Sequence, residues 1–478
     1  MDWMTYFVYA AIIYILIWFL RLFYRQRNLP HGPLPYPIIG NIPFLNKDTH
    51  EKLDRLANEY GPIFTLWFAR TPIIIVNDIQ AAEEVFAKNG SKFSDRPDFI
   101  NTIITKRSSR LPYMNFCPKF QRNQAICMQA CQVDESYLDE VLSKSLLDMC
   151  EVFESKASMN SFQPSDTLRN AVMKLMSEII YGTTFKNATF SDFNLPGNKY
   201  IFNLINATSI FQPLRLIRPG PYLQFKRFIE NRENILGQTF DESLKTGNSR
   251  SIMSNIINGL REKDNDNCLK QAELLCSDLF LVSIEKLAAT LDWMFLYFIT
   301  WPEIQHQVFE ELRSIRHESC NNVVSLVEIQ KIPFLQAAVY ETLRLSSLNP
   351  LSTVHKTNDI VTLKGYTLRK GTCVCVNLNS IHHNPKYWDE PYQFNPSRFL
   401  DGTSLININS IKGFFPFGQG VRKCFGEGLT LRILTSIMAN LIMHFNFDVS
   451  PWHLRPSLSG TSRLILVPEE YHISISKR

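Results

Sequence analysis

Paired cysteines are what this chain lacks. Its 478 residues hold ten cysteines with no CxxC and no repeated spacing, which excludes a zinc ribbon or finger and gives no disulfide framework. That usage fits reduced thiols facing a cytosol. Internal repeats, low-complexity linkers and runs of like charge are also absent, so nothing in the sequence marks a boundary between domains. Charge of one sign is scarce too. The net value of +5 is too mild for nucleic acid, yet it suits an acidic protein partner or an anionic membrane surface.

Apolar residues are plentiful: 45% hydrophobic and 34 phenylalanines. Length alone points to about three ordinary domains, but length is a soft guide. The composition instead predicts one large body with a roomy apolar interior, residues 29–478, behind a distinct segment, 1–28. From Trp3 to Leu20 that segment runs uncharged for 18 residues, just enough for a helix to cross a bilayer core. No small-residue cleavage site follows, and Trp3, Tyr6, Trp18 and Tyr24 stand near its ends as interfacial anchors would. Asp2 precedes the run and Arg21, Arg25 and Arg27 follow it, so the positive-inside rule puts the body on the cytosolic side. The sequons at Asn89, Asn187 and Asn206 would then be silent. Pro30, Pro33, Pro35 and Pro37 end the helix and stiffen an extended hinge.

Ile63–Phe68 and Ile73–Val76 are β-branched and aromatic runs that predict a hairpin, and Ile79–Lys88 predicts a helix closed by Asn89 and Gly90. Apolar residues recur at helical spacing through most of 135–345, and strand character returns across Gly365–Leu378. The fold class expected is mainly α with small β-sheets. Cys127 and Cys131, on one side of a helix, and Cys373 and Cys375, on a strand, have no completing ligand set and are expected in the core.

The densest chemical signal is FFPFGQGVRKCFGEG, centred on Cys424. Glycines 418, 420 and 426 flank the cysteine and permit close backbone approach. No second cysteine or histidine is near, so further metal ligands must come from a bound group. A haem supplies four nitrogens, and an axial thiolate then pushes electron density toward the iron. Phe417 would shield the sulfur from water.

The run Phe417, Gly418, Arg422, Cys424, Gly426 resembles the haem-binding signature of the cytochrome P-450 family, the haem-thiolate monooxygenases. The anchor and proline hinge resemble its membrane-bound members. The resemblance implies the triangular α-rich haem domain with a minor β region, haem b with Cys424 as axial iron ligand, and electrons from NADPH through a cytochrome reductase, with cytochrome b5 a further candidate partner. It also implies a lipophilic substrate (sterol, fatty acid or xenobiotic) and residence in the endoplasmic reticulum membrane facing the cytosol. Glu341 and Arg344 match the family's ExxR element, and FNPSRF supplies Arg398, so a three-member network behind the cysteine loop is expected. Arg422 and His355 are candidates for the haem propionates. The usual Trp and Arg of an early helix are Phe120 and Gln124 here, which leaves Arg122 as a compensating cation. Lys412, Lys423 and Arg432 surround the loop as a candidate docking face for an acidic redox partner. The pocket is expected to draw on Phe99–Phe116 and on a phenylalanine-rich stretch within 197–225.

The chain departs from the family in DLFLVSIEKLAATLDW. Where relatives carry an acid and then a threonine, Glu285 is followed by Lys286. Three readings follow. The Ser283 hydroxyl, one turn away, could replace the missing one in ordinary oxygen activation. The protein could instead rearrange or dehydrate a peroxide substrate, as atypical relatives do. Or Lys286 could bind the iron as a neutral amine, giving a haem sensor without turnover.

Overall fold

A computed structural model describes residues 3–37, 39–44, 49–97, 110–157, 159, 161–185, 188–193, 219–261, 267–315, 323–462 and 465–478. The chain forms two compact units: one from Met1–Thr105, Asn349–Asn384 and Gly418–Lys423, the other from Lys106–Leu348, Pro385–Phe417 and Cys424–Arg478.

The first unit opens with helix α1 (Trp3–Gln26), on which Trp3, Tyr6 and Tyr24 are exposed. Among the described residues no helix is long and apolar enough to cross a membrane. Pro30, Pro33 and Pro35 then turn inward while Leu34 and Tyr36 face out. Asn41 fixes this segment by donating to Pro33 O and Leu34 O, both at 3.4 Å, and accepting from Trp67 N at 2.8 Å. Helix α2 (Thr49–Tyr60) buries Leu53 on the sheet that follows. Strands β1 (Ile63–Phe68) and β2 (Thr71–Val76) form an antiparallel hairpin in register Ile63↔Val76. Helix α3 (Ile79–Glu83), capped by Asp78, widens into a π turn over Glu84–Lys88, so the predicted helix has two parts. Strand β3 (His355–Lys356) lies antiparallel to β4 (Cys373–Val376), and β4 runs parallel to β2, giving the order β1-β2-β4-β3. With β4 inside the sheet, Cys373 and Cys375 are both buried.

The second unit is helical: α4 (Pro118–Ala130), α5 (Glu135–Lys156), α6 (Ser165–Tyr181), α7 (Pro219–Thr246), α8 (Cys268–Thr300), α9 (Pro302–Ile315), α10 (Pro333–Ser346) and α11 (Glu427–His444). A hairpin of β5 (Phe445–Val449) and β6 (Ile473–Lys477) completes what concerns the site. Its axis is α8, whose residues from Leu287 to Ile299 are buried without interruption. An all-round apolar helix of this kind belongs inside a core. Buried Asp292 accepts from Ser165 Oγ at 2.7 Å and from Tyr471 Oη at 2.8 Å, so one carboxylate ties α6 and the approach to β6 onto the axis. Cys127 and Cys131 are buried in this core.

Candidate active site

In the second unit the chain reaches Cys424 just before α11, whose N-cap is Gly426. The Cys424 amide donates to Phe417 O at 2.9 Å, which sets the thiol at the mouth of the loop, and the cysteine is exposed. No described cysteine is in a disulfide. Phe417 and Phe425 on either side pack against the main apolar core. Where a Cβ would stand on Gly426 or Gly428 no atom lies within 4 Å. The loop therefore presents one thiol beside open space, backed by apolar rings. The other cysteines of this unit differ in kind. Burial pushes the Cys131 thiol up to about 12, with Cys424 adding to the rise, and raises Cys127 and Cys276 as well. Such thiols are inert.

Glu341 and Arg344 sit one turn apart on α10, both with fully buried side chains. Arg344 donates through Nε at 2.6 Å and Nη2 at 2.9 Å to the two oxygens of Glu341. Arg398 Nε donates to the same carboxylate at 3.2 Å, and so does the Asn395 amide at 2.9 Å. Both arginines also donate to carbonyls, Arg344 to Pro391 O and Arg398 to Glu390 O. Trp388 lies under the Arg344 guanidinium at 5.1 Å. Three buried charges survive because each has several partners.

The distal stretch is the middle of α8. Leu279, Leu281, Val282, Ser283, Glu285 and Lys286 are partly exposed just ahead of the continuously buried run that starts at Leu287, with Val282 44% exposed. Ser283 Oγ donates to Phe280 O at 2.9 Å, so its proton is committed to the helix backbone. Thr290 Oγ1 is likewise spent on Lys286 O at 2.8 Å. Of the early-helix residues, Phe120 is buried in the core, and Arg122 and Gln124 are half-buried. The expected pocket segments 98–109 and 194–218 lie outside the described residues.

In the first unit, Gly418–Lys423 meets the turn after α3. Arg422 Nε donates to Ser94 O at 2.7 Å. His355 on β3 has its Nδ1 2.7 Å from Phe93 O and its ring against Phe86. Arg96 Nη1 donates to Val354 O at 3.0 Å. Burial, with the fields of Arg96 and Arg422 adding to it, brings the His355 ring down to about 3. The imidazole is thus neutral near pH 7, so the cationic donors here are the two arginines. Their field is what an anionic group requires.

Sequence reasoning missed Arg96. Its carbonyl partner is 258 positions away, and no local pattern marks it. It also missed a cluster in the second unit, where Arg110 joins Asp278 of α8 at 2.7 Å and pairs with Glu233 of α7. These ties link residues more than a hundred positions apart, which periodicity does not reveal.

The Cytochrome P450 family profile matches residues 30–475. A steroid 17-alpha-hydroxylase/17,20 lyase of Ictalurus punctatus is 26% identical over 505 aligned positions, covering 99% of this chain and 96% of the relative. A probable cytochrome P450 508D1 of Dictyostelium discoideum is 28% identical, covering 95% and 94%. Among solved structures, a zebra fish cytochrome P450 with abiraterone superposes with a TM-score of 0.76 at 22% identity, over 91% of this chain and all of that one. The chain belongs to the cytochrome P450 family. It is therefore an oxidoreductase of the haem-thiolate class, with the family's α-rich fold. Within the second unit the residues fit the haem that the family implies, for an exposed, glycine-flanked thiol has room beside it there.

Proposed function

We propose that this protein is a membrane-tethered monooxygenase that inserts one oxygen atom of O2 into a lipophilic substrate, a sterol, fatty acid or xenobiotic. Electrons would come from NADPH through a cytochrome reductase, with cytochrome b5 a further donor. The observation that carries the reading is Cys424, exposed at the start of α11 with apolar rings behind it and open space at Gly426. Relatives named as steroid hydroxylases support the lipophilic class of substrate.

Bound haem would supply the activation of dioxygen. The role of this chain is to hold and surround it. Cys424 would hold it through its thiolate, at the positive end of α11. Phe417 and Gly418 shape the loop, and Gly426 leaves room for the porphyrin. Arg422 and Arg96 would pair with propionates and Arg122 would add a cation from α4, while His355, a neutral ring whose one N–H is given to Phe93 O, has none left for them. Glu341, Arg344 and Arg398 fix the segment Glu390–Asn395 through carbonyl and amide bonds, a positioning role. On the distal face Glu285 would supply a carboxyl able to relay a proton, while Ser283 keeps its own hydrogen on Phe280 O. Trp3–Leu20, with its arginine flank, supports a tether in the endoplasmic reticulum membrane and a cytosolic body.

The test is the carbon-monoxide difference spectrum of the reduced protein, followed by NADPH consumption with a reductase. A strongly red-shifted Soret band that disappears in Cys424→Ala supports the assignment. Haem bound without that band would overturn it. The commitment of Ser283 to the backbone favours a second reading, in which a hydroperoxide replaces O2. Product formed from hydroperoxides without NADPH, and none from O2, selects that route.

A further inference from the structure

The lysine that stands where the family carries a threonine meets no anion among the described residues. Lys286 is half-buried, and among the described residues its ammonium makes no hydrogen bond or ion pair. On a helix its neighbours are the residues three and four positions away. These are Val282, Ser283, Ala289 and Thr290, of which two are apolar and two have hydroxyls donated to backbone carbonyls. Glu285 is adjacent in sequence and points about 100° around the axis. The other carboxylates of α8 are occupied or distant along it. Asp278 is held by Arg110 and the Leu111 amide, Asp292 by Ser165 and Tyr471, and Glu273 lies more than three turns toward the N-terminus.

The position of the lysine points to a ligand. Val282 and Lys286 lie on one face, at the place where a core helix loses its covering. A half-buried ammonium beside apolar side chains is costly to leave unpaired. A ligand that covers this face must either tolerate that charge or complete it.

We propose that Lys286 is a specificity-determining residue that pairs with the acidic head of the substrate, so that the ligands preferred here are lipophilic monoanions such as long-chain carboxylates. This inference rests on the haem-thiolate reading of the same site and narrows its substrate class. The exposed apolar neighbour Val282 accepts the chain, and the ammonium selects the head. A charge-assisted bond in that setting favours the acid over a neutral isostere by roughly 10- to 100-fold.

The test is calorimetric titration of the haem-loaded, full-length protein with dodecanoate and with dodecan-1-ol, for wild type, Lys286→Arg, Lys286→Met and Lys286→Gln. The preference for dodecanoate should persist in Lys286→Arg and collapse about 10- to 100-fold in the Met and Gln variants. Unchanged affinity for dodecan-1-ol serves as the control for an intact pocket. An acid-to-alcohol ratio that does not move in either neutral variant overturns the proposal. So does a nitrogen-donor spectrum of the ligand-free ferric protein that is lost in Lys286→Met, because the lysine would then be on the iron. Absence of the thiolate carbon-monoxide band, by contrast, sinks the haem-thiolate reading and leaves the measured anion preference standing.

Discussion

Arg344 meets Glu341 as a two-pronged fork, Nε to one carboxylate oxygen at 2.6 Å and Nη2 to the other at 2.9 Å, with neither side chain exposed to water. Removing one partner strands a buried charge, which costs roughly 3–5 kcal/mol. Glu341→Ala and Arg344→Ala should each lower the unfolding free energy read from urea titration by that amount. Arg398→Ala should cost less, because Arg398 is 12% exposed and reaches Glu341 through one bond at 3.2 Å where Arg344 makes two. Equal losses for all three would refute this ranking.

Cys424 and Cys276 predict opposite behaviour toward a thiol reagent. In haem-free protein a maleimide should label Cys424, which is exposed, and leave Cys276 and Cys127, which are buried with raised pKa, untouched until unfolding. Haem loading should protect Cys424. Mass spectrometry of the labelled peptides reads the result, and rapid labelling at Cys276 in folded protein would contradict it.

The Ser283 hydroxyl donates within its own helix, so Ser283→Ala should change NADPH-driven turnover by no more than about twofold, the effect of one local helix bond. Lys286→Thr should raise coupling of NADPH to product if the lysine hinders ordinary oxygen activation. A turnover that is unchanged or falls would dispose of that idea.

His355 gives a pH dependence of definite sign. Its ring pKa is depressed to about 3 in the folded haem-free protein by burial, with Arg96 and Arg422 adding to the effect, against an ordinary 6.5. Between those values the unfolded chain binds a proton that the folded chain does not, so stability falls as pH drops from 6.5 toward 3 and is unaffected above 6.5. The slope approaches about 1.4 kcal/mol per pH unit. His355→Gln should flatten that part of the profile in urea titrations of haem-free protein. A slope that persists unchanged would assign it to other groups.

Much of this was legible from the residues. The cysteine loop, the ExxR pair and Arg398 share short motifs, and the β1–β2 hairpin and the long α8 follow from periodicity. What escaped is non-local. Arg96 reaches Val354 and Arg110 reaches Asp278 only because the chain returns on itself. Hydroxyl direction was equally hidden. Ser283 reads as a free donor until its bond to Phe280 O is seen. The helix predicted at Ile79–Lys88 was correct in place, but the π turn over its second half has no propensity signature.

That turn also constrains how the chain can diverge. A Cβ on Gly420 would stand 1.9 Å from the carbonyl oxygen of Phe86, and φ there is +67°. Any single-residue replacement at 420 meets both a backbone clash and an unfavourable torsion, whereas a Cβ at 237, on α7, meets only the far end of the Glu273 side chain at 3.2 Å. Descendants of this sequence can explore side chains at 237 one step at a time. At 420 they cannot drift without first reshaping Glu84–Lys88, so the two stretches must change together or stay as they are.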